Sequence, residues 1–511
     1  MSIICFGITA IFHKFFGFFN MNSKIVFINV VHFMSKCLKV FHKETCNRLT
    51  YFLKYGIFLI RKRFLNSVLI YFWPLYQPVN ICEDFIMKQS SAFRQFKSPS
   101  YLQSSTTMFL FFASWGIWWS FFQLWLTSDN QGLGLSGTQV GTIFSINSIA
   151  SLILMFIYGT VQDKLFIKRT LLIFNAVLAA LIAPFFIYIY SPLLNHNFIM
   201  GAWIGAIVLS AAYLSAVGVL EATTERFSRV FGFAYGQSRA WGSFGYAISA
   251  LIAGFLFVKN PNLNFWGGSI IGILLLLNLL FWRPKEEREA ISAIKELKNE
   301  NSTPKVKDMI GLLKIPMLWQ IIIFVMFTWT FYNVFDQQMF PDFYTHLFAS
   351  AKMGQQTYGT LNSIQVFIEA IMLGLVPILM KKIGVRNTLI LGTTIMFFRI
   401  GLCGFATSPV SVSAIKMLHS LEVPLFTLSI FRYFTLHFDT KLSATLYMIG
   451  FQIAAQIGQV ILSTPLGILK DSVGYSNTFR VISVIVLIAG CFGLLVMKKD
   501  SDFVNGQPLE N

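Results

Sequence analysis

From residue 102 onward the chain repeats one pattern, an apolar run of about 18 to 25 residues followed by a short polar break. A bilayer about 30 Å thick needs about 20 helical residues to cross it, because lipid can satisfy no backbone hydrogen bond. Runs of that length are read at about 103–127, 137–161, 169–190, 198–222, 235–258, 265–282, 317–340, 357–380, 388–406, 411–435, 442–466 and 478–497. The pattern predicts an all-α membrane protein with twelve transmembrane helices. Composition agrees: 55% of residues are hydrophobic and only 12% charged, where a soluble domain carries about 25% charge.

The longest polar interruption falls between the sixth and seventh runs, dividing the helices into two six-helix bundles, residues 87–282 and 317–511, around a solvated linker at 283–316. The formal charge of +18 does not point to nucleic acid, because the basic residues fall in short clusters between apolar runs. Lys164, Lys168, Arg169, Arg226, Arg229, Lys381, Lys382, Arg386, Lys498 and Lys499 follow alternate runs or lie at the C-terminus. Positive-inside sorting then places both termini in the cytoplasm of a cell whose plasma membrane holds the chain. Residues 1–86 differ: His13, Lys14, Lys24, Lys36 and Arg61-Lys62-Arg63 interrupt every candidate span. They read as an extension outside the helical core, with basic interfacial helices as the alternative. The six cysteines show neither metal nor disulfide spacing, so no metal or cofactor is expected.

Charges at membrane depth carry the functional signal, because each costs several kcal/mol unless it faces a partner or water. They are Glu221, Glu225, Arg239, Asp336, Glu369, Arg399, Lys416, His419 and Glu422. In the run containing Lys416-Met-Leu-His419-Ser-Leu-Glu422, apolar side chains favour insertion by about 3 to 7 kcal/mol and the Lys and Glu oppose it by roughly 5 to 7. Three-residue spacing puts all three polar side chains within about 120° of one helix face. Pro424 is expected to bend this helix. A neutral sugar suits the mixture: its hydroxyls want charged, bidentate partners and its ring an aromatic plate. Glu221 with Arg239 supplies the pair, and Tyr246, two turns beyond Arg239, supplies the plate. Gly242 and Gly245 would let helices approach closely. No nucleophile, base and orienting group occur together as an enzyme would need.

Two loops echo each other, GTVQDKLFIKR from Gly159 and MKKIGVRNT from Met380, at corresponding places in the two halves. With twelve spans in two sixes, this resembles the major facilitator superfamily. Phe166 stands where that superfamily's loop motif usually has glycine. The segments SRAWGSFGYA, FYNVFDQQMF, KMLHSLEVPLF and GFQIAAQIGQVILSTPLGIL resemble the oligosaccharide:proton symporter family, lactose permease type, over about residues 102–497. The resemblance implies proton-coupled import of a neutral disaccharide, and the self-contained six-plus-six layout suggests a monomer. It makes Glu221 and Arg239 the sugar-binding pair and Tyr246 the stacking aromatic. It also makes Glu422 the proton carrier and Arg399 the cation promoting its deprotonation. His419, Tyr332, Asp336 and Lys416 become the link between sugar and proton, with Asp336 and Lys416 a charge pair.

Departures from the lactose type point to the sucrose branch. An acid–lysine pair of that type reads Asn333 and Ala455 here, so both charges are lost together and neither is stranded. Glu369 stands where that type has asparagine, and the neighbouring acid's place is apolar. Raffinose, maltose or lactose as cargo stay open as alternatives, as does a sugar sensor that does not transport. One proton moving down about 100 mV and one pH unit supports roughly 500-fold accumulation.

Overall fold

The computed structural model describes residues 98–500 apart from 166–168, 234, 286, 288–313 and 439–445. The extension at 1–86, most of the linker and the side chains of Lys164, Lys168 and Arg229 lie outside the described residues. The described part from Ser98 belongs to one compact unit.

Helices α1 to α6 are Pro99–Thr127, Gly137–Leu165, the bent pair Thr170–Ala180 and Ile182–His196, Phe198–Ser228, Tyr235–Lys259 and Asn262–Phe281. Helices α7 to α10 are Pro316–Thr345, Ala351–Ile383, Val385–Cys403 and Pro409–His437. Met448–Val496 is broken at Gly474, where φ is +79°, into α11 before and α12 after. Among the described residues nine helices are long and apolar enough to span a membrane, ten if the bent pair counts as one. The break at Gly474 and the arginine-bearing α9 account for the difference, so each of the twelve expected runs has a helical counterpart.

The fold repeats itself at the basic end. Arg169, buried at the start of α3, pairs with Glu287 beyond α6 and donates to the carbonyl of Trp282 at 2.9 Å. In the second half Asp500, beyond α12, accepts from the backbone N–H groups of Val385 and Arg386 at 2.5 and 3.1 Å, capping α9. Each half thus closes with an acid that returns to the basic loop after its second helix. A carboxylate at a helix N-terminus also suits the helix dipole.

Side-chain hydrogen bonds tie the halves together at the opposite, sparsely charged end. Asp471 accepts from Gly137 N (2.8 Å), Thr138 N (2.7 Å) and Thr138 Oγ1 (2.7 Å), capping α2 from the other half. Asp342 accepts from Thr127 Oγ1 at 3.0 Å and from the hydroxyl of Tyr475, while its backbone N–H donates to Gln123 Oε1 at 3.0 Å. Helices α5 and α8 cross where Gly254 meets Gly359, and a Cβ on Gly359 would lie 2.9 Å from the Gly254 Cα. Any larger residue there would push the halves apart.

Candidate functional site

The sequence puts the expected bend of α10 at Pro424. That proline sits inside an unbroken helix from His419, and the chain breaks at Met417 and Leu418. Around that interruption the backbone makes three-residue bonds, Ser420 N to Met417 O and Leu421 N to Leu418 O, while Pro424 further on has no N–H to give the carbonyl of Ser420. The break turns Lys416 and His419 toward α7. There Asp336 lies in a π-helical turn, Val334–Met339, of the kind that recurs at functional sites because its widened turn re-aims side chains.

Asp336 Oδ1 accepts from Lys416 Nζ (2.5 Å), Arg399 Nη1 (3.0 Å) and His419 Nδ1 (3.1 Å). Arg399 also donates to both oxygens of Glu422, Nε to Oε2 at 2.5 Å and Nη2 to Oε1 at 3.1 Å. This fork holds a carboxylate in one plane and direction. Arg399 and Glu422 are both fully buried, at 0% exposure. The guanidinium lies 4.9 Å from the Phe335 ring centroid and 5.4 Å from that of Tyr332; Lys416 Nζ lies 4.6 Å from the Phe340 ring. Cation–π contacts of this kind partly offset lost hydration. His419 Nε2 is 3.2 Å from the Tyr332 hydroxyl. With Nδ1–H directed at a carboxylate, Nε2 is left as the acceptor for the phenol, which is the pattern of a neutral imidazole.

The second group of expected residues stands apart from this cluster. Arg239 Nε donates to Glu221 Oε1 at 2.7 Å, and each side chain is 31% exposed. The guanidinium lies 4.3 Å above the ring of Phe112 on α1. Gly245, two turns along α5, lets that helix meet α1 at backbone distance: a Cβ there would lie 2.3 Å from the Phe109 carbonyl oxygen. Tyr246 lines a central cavity of about 380 Å³, counting its open mouth, together with Trp119, Gln123, Asp336, Tyr358 and Asn362. The cavity joins Tyr246 to Asp336, while Glu221 and Arg239 are not among its lining residues.

Two residues were left out of the expected site. Phe112, which backs Arg239, was invisible in the aromatic run FLFFASWGIWW, where every ring fits a core position equally well. Glu369 was visible as a charge at depth but had no assigned partner. The structure places its Oε2 3.1 Å from the Gln365 amide nitrogen and 3.8 Å from His419 Nε2.

Residues 93–507 match the LacY proton/sugar symporter family. The chain is 42% identical to a sucrose permease of Escherichia coli, over 79% of this chain and 95% of that protein. It is 35% identical to a raffinose permease of Escherichia coli, over 74% of this chain and 88% of that protein, and 35% identical to a lactose permease of Klebsiella oxytoca, over 74% and 90%. Among solved structures, the nucleoside transporter NupG superposes with a TM-score of 0.65 at 15% identity, over 78% of this chain and 99% of its own. A D-xylose-proton symporter superposes with a TM-score of 0.56 at 14% identity, over 79% and 98%. At such identities these two structures speak for the fold alone.

Proposed function

Since the chain belongs to the LacY proton/sugar symporter family, and is a multi-pass membrane transporter and not an enzyme, we propose that it imports sucrose together with a proton. The observation that carries the choice of cargo is the 42% identity spanning 95% of a sucrose permease, higher than the 35% to the raffinose and lactose permeases. Three residues support it: Tyr246 as the stacking ring, and Asn333 with Ala455 where the lactose type keeps a charge pair.

The proposed path runs through the plasma membrane as a monomer, with the basic end and both termini in the cytoplasm. In this reading residues 87–282 and 317–511 form two bundles joined by the linker at 283–316. In the same reading the end where the halves meet through Asp471 and Asp342 is the outer end. Glu221 and Arg239 hold sugar hydroxyls by charge-assisted hydrogen bonds, and the ring of Tyr246 covers an apolar sugar face. Glu422 carries the proton. When it is neutral, the Arg399 fork loses one anion and leans on Asp336; when it ionises, the fork closes as seen here. Asp336, Lys416, His419 and Tyr332 pass that change toward the cavity, because Asp336 belongs to both the ion cluster and the cavity wall. Sugar that favours the occluded form then couples the two movements by linkage.

Uptake of radiolabelled sucrose into energised vesicles, with raffinose and lactose as competitors, tests the cargo. The reading expects accumulation that collapses with a protonophore and is inhibited most strongly by unlabelled sucrose. Accumulation of raffinose or lactose in preference would overturn it.

A further inference from the structure

One face of α1 runs past the parts of the proposed sugar site in turn. Phe112 backs Arg239, Gly116 leaves room for the ring of Tyr246, and Trp119 and Gln123 line the central cavity. Steps of four, three and four residues keep these positions on one side of a helix. A Cβ on Gly116 would lie 2.8 Å from the Tyr246 ring, which sets the level of that ring along α1. Gln123, seven residues on, is about 10 Å nearer the end where Asp471 and Asp342 join the halves. The cavity touches both Tyr246 and Gln123. A sugar ring lying on Tyr246 therefore leaves space beyond it, and a disaccharide has a second ring to put there.

What Gln123 can offer such a ring is fixed by the other half of the molecule. The π-helical turn Val334–Met339 of α7 gives way to a short α-helical segment, Phe340–Thr345, with Pro341 in its first turn. First-turn N–H groups have no partner within their own helix. That of Asp342 is given to Gln123 Oε1 at 3.0 Å. With the oxygen committed, the network assigns Nε2 to the opposite side of the amide. Nε2 carries two hydrogens, and among the described residues its hydrogen-bond partner is Thr127 Oγ1 at 3.4 Å, beyond the usual range. Gln123 is only 3% exposed, and a buried donor without a full partner is costly unless something in the cavity accepts from it. The neighbours at this level offer less. Ser120 Oγ already donates to Gly116 O at 2.7 Å, while Phe144 and Pro341 bring no donor.

We propose that Gln123 is a specificity-determining residue, whose Nε2 donates to a hydroxyl of the ring lying beyond Tyr246, with the Trp119 indole as that ring's apolar surface. The proposal rests on the disaccharide-symport reading, since a cargo of one ring would have nothing beyond Tyr246 to be read. Because Asp342 orients the amide from the other half, the donor is set for the sugar when the outer end is shut.

Isothermal titration of the full-length protein with sucrose and a panel of monodeoxysucroses tests it. Gln123→Met keeps the length of the side chain and removes the amide; sucrose binding should weaken about three- to tenfold, the worth of one neutral hydrogen bond. Across the panel that loss should vanish for the analogue lacking one particular hydroxyl and persist for the others, because only the missing group was the partner of Nε2. An equal loss with every analogue, accompanied by a fall in Tm, would mean that the amide merely holds α7 in place, and would overturn the proposal. Unchanged sucrose affinity would overturn it too. Gln123→Asn, which draws the amide back by one methylene, should give the same pattern and replaces the methionine variant should that one not fold. If the unsubstituted protein does not bind sucrose, the cargo reading fails, and the same comparison on monodeoxy forms of raffinose or lactose, whichever binds, decides the role of Gln123. Binding of none of the three would overturn both.

Discussion

The molecule contains the same chemical unit twice, an arginine against a glutamate, in two settings. Arg239 and Glu221 share one hydrogen bond, rest on Phe112 and are each 31% exposed. Arg399 and Glu422 share two hydrogen bonds and are wholly buried. The first pair has unused donors and acceptors that can turn to a ligand's hydroxyls. The second is enclosed, and any change in its charge must be answered by Asp336, Lys416 and His419. Environment, more than residue type, separates a binding pair from a switching pair.

If that contrast is right, the largest effect on stability comes from opening the enclosed side. Asp336→Asn leaves Arg399 and Lys416 facing Glu422 with one cation in excess, and breaking a buried ionic network of this kind costs about 3 to 5 kcal/mol. Thermal unfolding in detergent should show a clear fall in Tm, largely recovered in the double variant Asp336→Asn/Lys416→Ala. A double variant no better than the single would mean that the two residues are not a compensating pair.

The exposed side should fail differently. Arg239→Ala is expected to weaken sugar binding by at least about 30-fold, the lower end of what truncating one partner of a hydrogen-bonded charge pair costs. Its Tm should move little, since half-exposed pairs contribute only about 0 to 1 kcal/mol to folding. Isothermal titration beside a melting curve distinguishes this from the Asp336 result; a large Tm loss in Arg239→Ala would erase the distinction between the two settings.

A smaller effect is expected far from both pairs. Asp471→Ala removes the cap that one half places on α2 of the other, a loss of about 0.5 to 2 kcal/mol. Because the bond exists only when that end is shut, the loss should appear as a shift toward the state open there. A cysteine introduced at Thr138 should then be alkylated faster from that side, and unchanged labelling would show that the cap does not hold the halves together.

The sequence made the helices legible because hydrocarbon thickness leaves few choices, and it made Glu221, Arg239 and the Lys416 to Glu422 triad legible because charge at that depth needs a reason. What it could not show were pairings across the two halves. Asp471 reads as an ordinary loop acid until Gly137 and Thr138 are seen beneath it, and Asp342 gives no sign of reaching Thr127 and Tyr475. The interruption at Met417 and Leu418 carries no proline or glycine to announce it, and Pro424 lies beyond it inside a continuous helix. Glu369 was noticed, but its place beside Gln365 and His419 is a property of packing. Most of the linker and the first 86 residues lie outside what the structure describes.

The central claim is that a carboxyl sealed beside Arg399 exchanges the proton that a sugar bound near Arg239 carries inward. Sucrose-induced alkalinisation of the medium, recorded alongside sucrose exchange in Glu422→Gln, tests it most directly. The account predicts that exchange persists while alkalinisation and accumulation vanish, because sugar can still bind and cross but no proton is released. Alkalinisation that survives in Glu422→Gln at the level of the unsubstituted protein would contradict it.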